Sequence, residues 1–275
     1  GAEINALTKD QETPLFLAAG RGRQAAAELL VRRGAELKGL TRTKESLLHA
    51  AAAGGLAELV KSLLDKGFAI DARNRRSETP LHLAALHGRA AAARTLIGRG
   101  ASVNARQSYK VTPLHFAAQS GRRQIAELLL NHGAYVHAQD SSKQTPLHWA
   151  GFYGQAEVAR LLIKNQASVN ARDAAHWTPL HAAAYYGHLE TARLFLDHGA
   201  ELNAVSRDAW TPLHCAAIEG HEQMAELLID RGAKVNARDQ LRRTPLGLAR
   251  EYGQFGTAET CLLYTSDAAD EEDSV

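Results

Sequence analysis

The chain has 275 residues, only two cysteines, 6% aromatic residues and no long apolar run. Cys215 and Cys261 are too few for a disulfide framework, and no Asn-x-Ser/Thr sequon occurs, so a reducing, intracellular and most simply cytoplasmic setting is expected. No stretch of about 18 or more apolar residues is present to span a bilayer. The opening Gly1-Ala2-Glu3-Ile4-Asn5 has neither the basic nor the apolar segment of a signal peptide. At 45% apolar and 23% charged, the composition excludes disorder and collagen and leaves a globular chain of one large or two ordinary domains. Net charge is +2, but residues 261 to 275 hold five acids and no base, so residues 1 to 260 carry +7 and form a mildly basic body.

The dominant signal is repetition. Thr-Pro-Leu begins at Thr13, Thr79, Thr112, Thr145, Thr178, Thr211 and Thr244, with Ser46-Leu47-Leu48 filling the gap, so every interval is 33 residues. The ninth residue after each anchor is glycine in all eight units, from Gly22 to Gly253. A second glycine follows 21 residues after six anchors, whereas Gln166 takes that place in the fifth unit and is expected to weaken one helix end. Threonine can accept from the free N–H groups of a helix start, and proline beside it sits where no intrahelical bond is needed. Leu-x-Leu/Phe/Trp-Ala-Ala then predicts a short helix with a thin face, which lets neighbours approach closely. Glycine supplies a left-handed stop, and segments such as Gln124–Leu130 predict a second helix. The rest, for example Ala101–Arg106, predicts an extended finger ending in a polar turn. No unit can bury its apolar face alone; stacking buries it.

These residues resemble the ankyrin repeat family, whose pattern is Thr-Pro-Leu-His-x-Ala-Ala-x-x-Gly followed by Gly-Ala-x-Val-Asn-Ala. The best match is Thr211-Pro212-Leu213-His214-Cys215-Ala216-Ala217 with Gly232-Ala233-Lys234-Val235-Asn236-Ala237. The resemblance covers residues 1 to about 259 and implies an all-α solenoid of helix-turn-helix units with β-hairpin-like finger loops. Phe16 and Gly247 replace the usual histidine, Ser46-Leu47 replaces Thr-Pro, and Gly151 replaces alanine, departures that bear on local stability. The expected organisation is a truncated repeat tail and finger over residues 1–12, eight repeats over 13–259 with the eighth incomplete, and a non-repeat acidic tail over 260–275. Both ends are expected to be cuts: Gly1 falls at the second-glycine phase, and no glycine arrives on schedule after residue 259. Cys261 to Glu271 resembles the translation of a transposase sequencing adapter, so the tail is expected to be artefactual. A natural acidic tail, or a terminal Asp273-Ser274-Val275 ligand for a carboxylate-binding groove, are the competing readings.

Thirteen histidines invite a catalytic or metal reading, yet His49, His82, His115, His148, His181 and His214 occupy one periodic site. The ankyrin resemblance implies that this histidine hydrogen-bonds backbone and steadies the turn. No cysteine pair or His-Glu-x-x-His exists, since Ala225 fills the second ligand place after His221-Glu222. Cys215 lies in a small-residue position and is expected to be a buried thiol. The glycines mark structural turns and form no phosphate-cradling loop. No enzyme activity, cofactor or metal is expected.

Function should sit where the period does not fix the residue, which the resemblance implies to be the finger tips and the two residues before the first glycine, lining a concave groove. Those positions hold eight of the 16 aromatic residues, crowded into the later repeats. Aromatic and arginine side chains carry binding energy most often, because they bury large area with few rotors. The expected partner-binding residues are Tyr109, Phe152, Tyr153, Trp177, Tyr185, Tyr186 and Trp210, with Arg106, Arg172 and Arg207 as polar grips. The competing reading packs Trp177 and Trp210 against the helix caps they precede. Trp149 is expected to be partly buried. The six residues before each Thr anchor hold fourteen bases and eight acids, so the finger edge is the positive edge. It could steer an acidic protein partner or simply keep the edge solvated. The expected function is therefore a monomeric protein-interaction scaffold gripping a protein or peptide, with no membrane insertion. Two other readings stay open: a targeting or regulatory segment of a larger enzyme, and weak nucleic-acid binding through the finger edge, which the interleaved acids disfavour.

Overall fold

The computed structural model describes residues 3 to 272, with side chains as far as Leu263. The described residues form two compact units that divide between Ser141 and Ser142. The first contains α1 (Pro14–Gly20), α2 (Gln24–Arg32), α3 (Leu47–Gly54), α4 (Ala57–Asp65), α5 (Pro80–Leu86), α6 (Ala90–Gly98), α7 (Pro113–Gln119) and α8 (Arg123–Asn131). The second contains α9 (Pro146–Phe152), α10 (Ala156–Lys164), α11 (Pro179–Tyr185), α12 (Leu189–Asp197), α13 (Pro212–Glu219), α14 (Glu222–Asp230), α15 (Pro245–Glu251) and α16 (Phe255–Glu272). In each unit the short first helices of the repeats stack on one another, α1, α3, α5 and α7 in the first and α9, α11, α13 and α15 in the second. The longer partners form a second layer.

The anchor threonine starts its helix as its chemistry requires. Thr211 Oγ1 accepts from the His214 N–H at 3.4 Å, while His214 Nδ1 accepts from the Thr211 N–H at 3.1 Å, a reciprocal cap. Because Nδ1 accepts, the ring proton lies on Nε2, which donates to the Arg243 carbonyl of the next finger at 3.2 Å. The same brace joins His49 to Glu78 and His82 to Val111 in the first unit, and His148 to Trp177 and His181 to Trp210 in the second. Each such histidine thus caps its own helix and holds the following repeat. Where Phe16 and Gly247 stand instead, Thr13 and Thr244 still accept from the backbone N–H three residues on, both at 3.1 Å. What is lost is the inter-repeat brace and the acceptor that the histidine offers the anchor's own N–H.

The glycine stops behave as expected: Gly55 and Gly220 close α3 and α13 with φ of 83° and 75°. Gln166 adopts the same conformation at φ 67°, strained for a residue with a side chain. Gly151 has a packing reason. A Cβ there would lie 2.7 Å from the Pro179 carbonyl oxygen and 3.1 Å from Phe195, a fully buried ring that fills the space alanine would take.

The fingers differ from the β-hairpin expectation, since no strand occurs among the described residues. Neighbouring finger tips share single main-chain bonds, such as Arg75 N–H to Thr43 O at 2.7 Å and Arg207 N–H to Ala175 O at 2.9 Å, too few for a ladder. Each tip is shaped by a left-handed residue two places before the helix cap, for example His176 (φ 62°) and Ala209 (φ 58°). Side-chain acceptors hold the turn: Asp173 Oδ1 receives the Ala175 and Trp177 N–H groups at 2.8 and 2.9 Å.

At the far end, α16 continues through residue 260, where the repeat pattern fades, to Glu272. The scheduled glycine stop is absent, and Thr257, Ala258 and Cys261 are buried. The side chains of residues 264 to 272, and everything at residues 1, 2 and 273 to 275, lie outside the described residues. So does the terminal Asp273-Ser274-Val275 reading.

Candidate functional site

The aromatic positions of the second unit come from two kinds of place in the repeat. Phe152, Tyr153, Tyr185 and Tyr186 end the first helix of their repeats, just before the left-handed glycine. That backbone is held from the following repeat: His188 Nε2 donates to the Phe152 carbonyl at 3.1 Å and His221 Nε2 to the Tyr185 carbonyl at 3.0 Å. Trp177 and Trp210 sit in fingers, and their carbonyls accept the braces from His148 and His181. Phe152, Trp177, Tyr185 and Trp210 are therefore mounted on backbone held by a histidine at a distance of 29 to 36 residues, which lowers the entropy a partner would have to remove.

These rings touch. Phe152 and Tyr186 have centroids 4.2 Å apart, Phe152 and Tyr153 5.1 Å, Tyr185 and Tyr186 5.1 Å, and Trp177 and Tyr185 5.4 Å. Phe152, Trp177, Tyr185, Tyr186 and Trp210 line one open hollow of ≈ 420 Å³. Tyr153 stands beside it, 40% exposed, against half-buried Trp149 at 6.2 Å, which places Trp149 as expected. Trp177 also stacks on the His181 ring at 5.9 Å, so it packs against the helix following its cap and lines the hollow at once. A hollow of ≈ 470 Å³ in the first unit opens between α2 and α4 and has no aromatic side chain in its lining.

Tyr109, 67% exposed, and Arg106 belong to the first unit. The arginines are less free than their sequence positions suggest. Arg106 donates to the Gln139 carbonyl at 2.9 Å, just as Arg73 donates to the Arg106 carbonyl at 2.9 Å. Arg172 donates to the Val205 carbonyl at 3.1 Å and pairs with Glu201 at 3.4 Å. These are further repeat-to-repeat braces at the 33-residue spacing. Arg207 is exposed, and its own carbonyl accepts from Gln240 at 2.5 Å.

Gln144, Asp173 and Ala182 also line the hollow and were not singled out from the sequence, and His148, read there as a repeat-forming histidine, lines it too. The nearby Glu219 carboxylate, with burial, pushes the Tyr185 hydroxyl up to about 12. Periodicity concealed them, because His148 and Asp173 also have repeat-forming duties.

Burial sets the charge state of several titratable groups inside the repeats. Burial holds His82 and His181 down at about 4, and their two ring nitrogens are both engaged. Burial also pushes the Cys215 thiol far up and Cys261 up to about 11, the reverse of an activated nucleophile. No group of three or more His, Cys, Asp or Glu among the described residues could hold a metal ion. No helix among them is long and apolar enough to cross a membrane.

The comparisons agree with this architecture. A family profile described as ankyrin repeats (3 copies) matches residues 1–74, 34–107, 106–173, 135–206, 168–239 and 205–271. The crystal structure of the human ASB11 ankyrin repeat domain is similar at a TM-score of 0.73 and 29% sequence identity, covering 80% of this chain and 97% of that one. No curated protein matches the chain significantly. Repeats of this kind are in general non-catalytic modules for protein–protein interaction. The capped helix pairs, the histidine braces and the profile matches together place the chain in the ankyrin repeat family.

Proposed function

We propose that this chain is a protein-interaction scaffold whose second unit grips a partner through Phe152, Tyr153, Trp177, Tyr185, Tyr186 and Trp210, with Arg172 and Arg207 on the finger side. Tyr109 and Arg106 form a separate contact surface in the first unit. The observation that carries the reading is the hollow itself: five aromatic side chains from successive helix ends and fingers converge on one open concavity. Large rings clustered on a rigid concave surface are the usual carriers of interface energy, and a preformed site loses little entropy on binding. Arg172 is braced by the Val205 carbonyl and Glu201, which fixes its side chain on the finger side without further ordering. The basic finger edge would speed encounter with an acidic protein surface.

The test is a paired capture from source lysate at two salt concentrations. The chain is compared with a Tyr153, Trp177, Tyr185 and Trp210→Ala variant shown by circular dichroism to remain helical. A protein retained by the parent and lost by the variant is expected. Equal retention by both would refute the aromatic site.

A further inference from the structure

The hollow has a polarity that the finger edge does not share. No lysine or arginine occurs in its described lining, while Asp173 forms part of its wall. Glu219 lies near enough to the Tyr185 hydroxyl of the lining to raise its pKa. Asp173 is held in place on both oxygens, Oδ1 by two finger N–H groups and Oδ2 by Gln144 Nε2 at 3.3 Å. His148 contributes no positive charge, because its Nδ1 accepts from the Thr145 N–H at 3.2 Å and Nε2 faces the Trp177 carbonyl at 3.0 Å. The guanidinium of Arg172 is engaged by Glu201 and the Val205 carbonyl. Aromatic side chains and the Asp173 carboxylate therefore meet with no lysine or arginine among the lining residues, and Glu219 lies near Tyr185.

Resting on the reading of this surface as a partner-binding site, we propose that the hollow receives a lysine or arginine side chain of the partner. Its cationic head lies against the faces of Phe152, Trp177, Tyr186 and Trp210, and Asp173 and Glu219 offset its charge. The faces of aromatic rings carry the negative end of their quadrupole, so a cation within about 6 Å of a ring centroid is attracted, most strongly by tryptophan. The apolar stem of the same side chain covers the ring surface that water leaves. The finger edge and the hollow thus select opposite charges, a partner with an acidic surface from which a basic side chain projects.

The experiment follows the three indole N–H signals of the full-length ¹⁵N-labelled chain, Trp149, Trp177 and Trp210. It titrates short glycine-flanked peptides carrying one lysine, one arginine or one norleucine at matched ionic strength. The cationic peptides are expected to shift Trp177 and Trp210 and to bind roughly two- to thirty-fold more tightly than norleucine. Glu219→Gln and Asp173→Asn should weaken only the cationic peptides, while Trp177→Leu should weaken all three. Norleucine binding as tightly as lysine and arginine would overturn the cationic occupant while leaving an aromatic docking site in place. Absence of any shift with the cationic peptides, or no effect of either carboxylate substitution, would overturn it as well. The lysate capture decides the scaffold reading independently.

Discussion

Acid should loosen this protein through histidines that never touch a ligand. His82 in the first unit and His181 in the second are fully buried, and burial holds both at about 4 against an ordinary value near 6.5. A second ring proton would turn Nδ1 from an acceptor into a donor facing the N–H of the capping threonine, at 3.1 Å in both cases. The unfolded chain binds that proton near pH 6.5 and the folded chain only near pH 4, so stability is fully present above 6.5 and is lost as pH falls through that window. The separation of about 2.5 pH units corresponds to about 3 kcal/mol for each histidine, of which about 2 kcal/mol is already lost at pH 5. Two such losses compare with the 5–15 kcal/mol typical of a whole domain. Glu45, raised by burial, acts in the opposite sense, since its protonated form is the one the fold favours. Urea unfolding from pH 7 to pH 4 measures the slope directly. In His82→Gln and His181→Gln chains stability at pH 7 should drop, because the braces to Val111 and Trp210 go, yet the slope between pH 6.5 and 4 should flatten. An unchanged slope in the double variant, or ring signals titrating near pH 6.5 in the folded protein, would refute the reasoning.

Other consequences are equally direct. Gln166→Gly should raise stability by up to about 1 kcal/mol, since it relieves a left-handed side-chain-bearing residue at a helix end, and thermal unfolding would register it. Ala209→Gly should act similarly in the finger, offset in part by the entropy of the unfolded glycine. Gly151→Ala should cost about 1–3 kcal/mol through its clash with Pro179 and Phe195, and Phe195→Leu should recover part of that loss in a double-mutant cycle. Hydrogen exchange should be faster in α2, which buries only Ala27, than in α10, which buries five residues; equal protection would contradict this. Both cysteines should react with a thiol reagent only as fast as their segments open, because Cys215 and Cys261 are fully buried and poorly ionised.

Much of this was legible in the amino-acid order because the information is local. A threonine before a proline, a glycine nine residues on and an alanine face each specify a conformation or a closeness within a few residues, and repetition at 33 multiplies the signal. The helix pairs, their caps and the family follow from that alone. So does the crowding of aromatics at positions the period leaves free. Other features depended on which atoms meet across repeats, and no local pattern encodes that. The arginines of the finger edge look like free charges in the sequence, but Arg73, Arg106 and Arg172 reach carbonyls 33 residues away. Gly151 looks like a weakness until Phe195 is seen to need its space. The hollow needs side chains from three repeats at once, and its acidic character comes from Asp173 and Glu219, residues whose charge the basic edge conceals when the chain is read in one dimension. Conformation was written locally, whereas charge and contact were decided only when the stacked repeats brought distant positions within a few ångströms.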